Sequence, residues 1–463
     1  MVEEQHELPE DEERDEDTYS ISSRALSSIL YAVDTGDREK LIELMEPLHA
    51  ADIADLLEQV NAYDRRRLIL LYGAEFDGEI LSELDEGIRD EVIHVLRPEV
   101  LAEAVRELDS DDVVDLVEDL DEDAQAAILA TLEASERVAV EKSLSYPEYS
   151  AGRLMQREVV MGPEHWTVGQ AIDFMRSAEE LPQDFYHMVL IDPKMHPVGH
   201  VTLGKILGAP RSQPLSELLE PGFRTFRVDE SETDVAYAFN QYHMISAPVV
   251  DEDDRVVGVI TIDDAMNVLD EEHEEDIMRL AGVGEGSLSD RVRDTVKQRL
   301  PWLAANLVTA IIASLVIALF EDEIATIVAL AVLMPIVASM GGNAGTQSLT
   351  VAVRAIATRD LTGANVWRVI RREILVGLAN GLFFAVVMGL VSFFWFGSAE
   401  LGLVIATAMV INLVVAGLAG IGVPVALERL GVDPALASGT FVTTVTDVVG
   451  FFAFLGLAGM VLL

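Results

Sequence analysis

Phe441-Val-Thr-Thr-Val-Thr-Asp447-Val-Val-Gly-Phe-Phe-Ala-Phe-Leu-Gly-Leu-Ala-Gly-Met-Val-Leu-Leu463 is a membrane-length apolar stretch with one carboxylate in it, Asp447. Thr443, Thr444 and Thr446 stand just before that acid. Placing an ionised Asp at the bilayer centre costs roughly 2.5–3.5 kcal/mol on insertion scales. Such a group faces a pore or a polar partner rather than lipid. Two readings remain open for Asp447: a helix–helix hydrogen bond, or a carboxylate on an ion pathway.

Upstream of this stretch lie four more segments of similar character, each near the roughly 20 apolar residues a spanning helix needs. They run from Pro301 to Phe320, with the proline in the opening turn, from about Ile324 to Ala357, from Ile374 to Phe396 and from Leu401 to Leu427. The last segment runs from Leu436 to Leu463. The second reads as an apolar helix, Thr326 to Met340, interrupted by Gly341-Gly-Asn343-Ala-Gly-Thr-Gln347 and then resumed. Polar or unwound chain at membrane depth is tolerated only against protein or water. Asn343 therefore joins Asp447 on the candidate pathway. Arg and Lys flank the first segment at its start, lie between the second and third, and between the fourth and fifth. Acid alone lies in the other loops. The positive-inside rule then places the N-terminus in the cytosol and the C-terminus outside, in a multi-pass protein of the plasma membrane. Asp433, just before the fifth segment, falls at the cytosolic mouth.

The chain has 463 residues and a formal net charge of -48, yet half of it is hydrophobic. Nearly all the acid precedes residue 300, so an acidic soluble part is followed by a membrane part. Only five of the 32 basic residues are Lys. Such a balance suits either a protein adapted to high salt or an acidic face that attracts cations. It argues against nucleic acid as a partner, because phosphate binding needs a basic footprint. Cysteine is absent, which removes disulfides, thiolate metal sites and thiol catalysis. Met1 to Asp17 lack the charged and apolar regions of a secretory signal, and residues 1–20 read as a disordered acidic tail.

Residues 21–150 read as an all-α, solenoid-like N domain. Three 12-residue units follow one another from Arg97, Asp109 and Asp121, each opening on polar residues suited to a helix start and ending on Leu. Ala50 to Val60 is a related unit. Residues 151–270 hold two similar α/β modules. The first has a helix over Trp166–Met175 and strands at Met188–Asp192 and Val198–Leu203. The second has a helix at Thr233–Phe239 and strands at Ala247–Asp251 and Val256–Ile262. Asp192 and Gly199 in one copy match Asp251 and Gly258 in the other, each pair seven apart. Residues from Asp263 to Gln298 read as a long connecting helix dense in acid, with the stretch 271–299 preceding a transmembrane domain at 300–463. Gly282, Gly284 and Gly286 are candidate breaks in it. Neighbouring acids on one helix face repel, and a bridging divalent cation or simple solvation would each relieve that repulsion. No phosphate-binding loop and no catalytic constellation is present, so the chain does not read as an enzyme.

The paired α/β modules resemble the tandem regulatory units of cystathionine-β-synthase (CBS) type, whose nucleotide motif Gly-x-x-Thr/Ser-x-x-Asp is matched at Gly258, Thr261 and Asp264. The first copy has Lys205 in the acidic place. That resemblance implies ATP or another adenylate bound at the second copy. Over nearly its whole length the chain resembles the MgtE family of magnesium transporters, on Arg299-Leu-Pro-Trp-Leu303, the run 341–347, and Asp433-Pro-Ala-Leu-Ala-Ser-Gly439 through Asp447. The resemblance implies a homodimeric Mg²⁺ channel in membrane lipid, with Asp447 central in the pore beside Asn343, Thr443 and Thr444, and Asp433 at its entrance. It also implies regulatory Mg²⁺ held by Asp264, Glu272, Glu275 and Asp276, which closes the pore. Asn267 stands where that pattern leads one to expect an acid. A broad divalent (Co²⁺) transporter, a coupled exporter of the same fold and a membrane-anchored adenylate sensor are the alternatives.

Overall fold

The computed structural model describes residues 21–118, 120, 122–178, 181–182, 185–283 and 292–463. The expected acidic tail and part of the expected connecting helix lie outside these residues. The chain divides into two compact units, one ending at Asp270 and one beginning at Glu271.

The first unit opens with short helices from Ser23–Thr35 to Ala134–Ser143. The three 12-residue units become Pro98–Glu107, Ser110–Glu118 (α1) and Glu122–Leu129. Proline opens the first of them at a position where its missing N–H costs nothing. Each is too short to stand alone. They persist because Val100, Val105, Val113 and Val117 join one core with Leu41, Leu56 and Leu81.

Two three-stranded sheets follow. Met161–Pro163 (β1) runs parallel to His187–Ile191 (β2), which pairs antiparallel with Pro197–Thr202 (β3). Phe226–Arg227 (β4), Ser246–Val250 (β5) and Val256–Thr261 (β6) repeat that arrangement. The likeness reaches single residues. Asp192 accepts from the amides of Lys194 and His196, and Asp251 from those of Asp253 and Arg255. Met195 and Asp254 take the same left-handed place in the two turns, at φ 70° and 60°. The sequence reading missed β1 and β4, which are too short to show alternation.

Helix α2, Ile262–Leu280, begins in the first unit and ends in the second. The expected helix to Gln298 is therefore too long. Gly282, at φ 70°, closes the last turn by donating to Arg279 O.

The second unit holds five helices long and apolar enough to cross a membrane: Val292–Ala318 (α3), Ala329–Ala357 (α4), Val366–Phe396 (α5), Ala399–Arg429 (α6) and Pro434–Val461 (α7). Two expectations are corrected. Pro301 lies inside α3, which starts earlier in the basic run, so the proline removes one backbone donor from its interior. And α4 is unbroken through residues 341–347. Its glycines serve close packing rather than unwinding. Helix α6 is the centre of the bundle, with buried residues along its length from Leu401 to Val425.

Candidate ion pathway and acidic sites

On α7 the three threonines before Asp447 satisfy their own hydroxyls. Thr443 donates to Gly439 O (2.9 Å), Thr444 to Thr440 O (2.6 Å) and Thr446 to Thr443 O (2.9 Å). Their oxygens keep acceptor capacity for a hydrated cation. Thr446 is buried, while Thr443, Thr444 and Asp447 are half-buried. Among the described residues the Asp447 carboxylate has no hydrogen-bond or ion-pair partner.

Helix α4 carries a polar face at helical spacing: Asn343, Thr346, Gln347 and Thr350 are all exposed. Its opposite face, Gly341, Gly345 and Leu349, is buried. A Cβ on Gly342 would stand 3.9 Å from Thr443 Cγ2. The Gly-Gly-Asn run of α4 thus lies against the threonines of α7, and Asn343 and Asp447 belong to packed helices.

Asp433 caps α7. Its Oδ1 accepts from Ala435 N (2.8 Å) and its Oδ2 from Arg279 Nη1 (2.8 Å). The same guanidinium donates through Nη2 to Glu275 Oε1 (2.7 Å). Asp276 stands in this group, its carboxyl pushed above the usual range by burial and then by the charges of Asp433 and Glu272. Leu280, at the end of α2, packs on Leu349, Ala435 and Val442. The last turns of α2 are in this way docked on the mouth of the helices that bear Asn343 and Asp447. Sequence reading placed Asp433 at the mouth but overlooked Arg279, the cation that ties it to Glu275.

Asp264 is elsewhere, in the first unit. Thr261 Oγ1 donates to its Oδ2 (2.6 Å), and Asp111 and Asp112 of α1 are its acidic neighbours. Burial pushes Asp264 up to about 6, and burial followed by Asp264 pushes Asp112 up to about 7. Asp111 lies well above the usual range for the same two reasons. The sequence reading missed Asp111 and Asp112. Their signal is the acidic first turn of the second 12-residue unit. Among the described residues no three His, Asp or Glu side chains converge closely enough to grip a bare metal ion.

Between the two sheets is a small, partly open cleft lined in part by Tyr186, His187, His200, Ser246, Val259 and Thr261. His187 Nδ1 and Ser246 Oγ are 2.6 Å apart. Burial, then His200, brings His187 down to about 4, so it is neutral at physiological pH. Of the three motif residues only Thr261 lines the cleft. Gly258 packs against Met155 and Gln156, and Asp264 accepts from Thr261 without lining the cleft. In the first copy, Lys205 pairs with Glu220 at 2.9 Å.

Three family models match the chain: a divalent cation transporter domain over residues 334–457, an MgtE intracellular N domain over 48–149 and a CBS domain over 215–271. The magnesium transporter MgtE of Thermus thermophilus is 32% identical over 442 residues, covering 94% of this chain and 98% of that one. The chain belongs to the MgtE family. The MgtE of Enterococcus faecalis is 32% identical, covering 93% of this chain and 89% of its own, and that of Bacillus subtilis is 30% identical, covering 90% and 92%. MgtE proteins are magnesium transporters and not enzymes, in keeping with the five helices of this chain that are long and apolar enough to cross a membrane. A cytosolic domain of the Mg²⁺ channel MgtE in complex with ATP covers 52% of this chain and 99% of its own, at 29% identity and a TM-score of 0.49. The soluble part of another magnesium transporter covers 54% of this chain and 98% of its own, at 23% identity and a TM-score of 0.48.

Proposed function

We propose that this chain forms a Mg²⁺-selective pathway that lets Mg²⁺ into the cell down its electrochemical gradient. The observation that carries the reading is Asp447, half-buried and without a side-chain partner among the described residues, on a membrane-length helix packed against the glycines of α4 beside that helix's exposed polar face. Mg²⁺ gives up its waters reluctantly and is often bound through them. One carboxylate with threonine oxygens and an asparagine amide suits a hydrated ion. A site for a softer metal would show His or Met ligands. An interior-negative potential supplies about 4.6 kcal/mol per 100 mV for a divalent ion, twice the single-charge value, so no energy-coupling motif is needed. The exposed face from Asn343 to Thr350 needs cover in lipid, and a second copy of the chain across the pathway supplies it.

Regulation is assigned to the acids on the cytosolic side. Asp264 faces Asp111 and Asp112 as half-buried neighbouring carboxyls, and Asp276 crowds Asp433 and Glu272 beside the start of α7. These hard oxygen donors fit Mg²⁺ held through its water shell. With Glu275, they bind the ion when cytosolic Mg²⁺ is high and favour a closed state through differential affinity. An adenylate is proposed for the cleft at Thr261. Its ribose reaches Asp264 only when Asp111 has withdrawn.

The test is Mg²⁺ uptake by liposomes carrying the purified chain, wild type beside Asp447→Ala. Uptake that falls about 100-fold in the variant supports the pathway. Unchanged uptake removes Asp447 from it. Uptake of Co²⁺ in preference to Mg²⁺, or flux that stops when a proton or sodium gradient is collapsed, favours the broad divalent or coupled reading. Tight nucleotide binding without any ion flux favours the sensor.

A further inference from the structure

We propose that Asn412, on α6, is the positioning residue that sets the register of α4 against α7, and with it the relative height of Asn343 and Asp447. The proposal rests on the pathway reading above. Asn412 is fully buried at the centre of the bundle. Its Nδ2 donates to Val337 O of α4 at 2.8 Å, and its Oδ1 has no hydrogen-bond partner among the described residues. A leucine of nearly the same size would fill this place without the desolvation cost of an unpaired carbonyl. The backbones of two other helices nevertheless make room for the amide. A Cβ on Gly341 of α4 would come within 2.2 Å of Nδ2, and one on Gly450 of α7 within 2.8 Å. Gly341 is two residues before Asn343, and Gly450 is three residues, about one turn, after Asp447. The amide is therefore wedged between the two pathway helices at the level of the two pathway residues. Apolar helix faces slide past one another at little cost. A hydrogen bond to one backbone, made inside a slot shared with a second, does not permit that.

The chain has no cysteine, so an introduced pair reports the register directly. The full chain carrying Gly342→Cys and Thr443→Cys is reconstituted in liposomes and oxidised, and the intrachain disulfide is read by peptide mass. The two positions face one another at contact distance, so pairing is expected with Asn412 present. Adding Asn412→Leu is expected to slow pairing about tenfold. Without the cysteines, Asn412→Leu raises the half-saturating Mg²⁺ for uptake roughly tenfold, since small misplacements at a site are costly. Asn412→Asp gives the discriminating readout. Only its protonated carboxyl donates to Val337 O, so its pairing rate, relative to the Asn412 parent at each pH, recovers as pH falls. An Asn412→Leu chain that reconstitutes normally and pairs at the parent rate overturns the proposal. Should that variant fail to fold, a flat pH ratio for Asn412→Asp overturns it. If the wild type passes no Mg²⁺, the pathway reading fails, while the pairing rates still decide whether Asn412 sets the register.

Discussion

At the mouth of α7 a single guanidinium serves two carboxylates. Arg279 joins Glu275 of α2 to Asp433, which caps α7. Replacing it by Gln leaves Glu275, Asp276 and Asp433 to repel one another, and any closing cation must then supply what the arginine supplied. Arg279→Gln is expected to raise the cytosolic Mg²⁺ that half-closes the pathway by about tenfold, since a partly buried charged pair is worth on the order of 1–2 kcal/mol. Dose–response of uptake against cytosolic Mg²⁺ checks this, and an unchanged midpoint contradicts it. Legibility differs sharply between residues. Asp447 was readable because a carboxylate inside an apolar segment is costly wherever it points. Asn412 was not, because one amide in a long apolar helix says nothing of which backbone it meets. Asp264 was ambiguous in the sequence, and the structure gives it Asp111 as a neighbour, which no spacing along the chain could supply.

Elements were read well wherever a period was long enough. The 12-residue units, the paired strands of both α/β modules and five apolar helices are present as the sequence reads them, though the first helix begins at Val292 rather than Pro301 and the third at Val366 rather than Ile374. The misreadings share one cause: the sequence shows a residue's propensity and not its neighbours. The glycine run of α4 reads as a break, yet Gly345 is there because a Cβ would meet Val442 Cγ1 at 2.6 Å. Gly345→Val is expected to destabilise the membrane unit by about 1–3 kcal/mol through overpacking, seen as a lower melting temperature in detergent. Gly363→Ala, with nothing near its Cβ, is expected to leave that temperature unchanged. The contact of α1 with Asp264 makes a separate prediction about pH. Asp112 and Asp264 hold protons more tightly folded than unfolded, with values near 7 and 6 against an ordinary 3.8. Without divalent cation, this contact is fully stable below about pH 4 and loses stability as pH rises through about 6 to 7. Mg²⁺ restores it at pH 8. Melting temperature against pH, with chelator and with Mg²⁺, should show that fall and recovery, and the double variant Asp111→Asn with Asp112→Asn should flatten both. A slope that persists in the double variant places its origin elsewhere.

Over the whole molecule the net charge of -48 is concentrated ahead of the membrane helices. Self-repulsion on that scale is screened within a Debye length of about 3 Å at 1 M salt, against about 10 Å at 0.1 M. The melting temperature of the full chain is therefore expected to rise from 0.1 M to about 1 M KCl, and a fall would count against salt adaptation. The division into acidic soluble part and membrane part was visible in composition alone. Gly282 stood among the candidate breaks of the connecting helix; what remained hidden was that the turn it closes sets Leu280 against the cluster of Ala435 and Val442. That docking sets the acidic end of α2 against the start of α7.

The most direct measurement of the account is Mg²⁺ flux through the wild-type chain in oriented liposomes, driven by an imposed membrane potential alone, with the cytosolic face held first at low and then at high Mg²⁺. The account predicts inward flux that follows the potential without any proton or sodium gradient and that stops when cytosolic Mg²⁺ is raised. Flux that ignores the potential, or that continues unchanged at high cytosolic Mg²⁺, would contradict it.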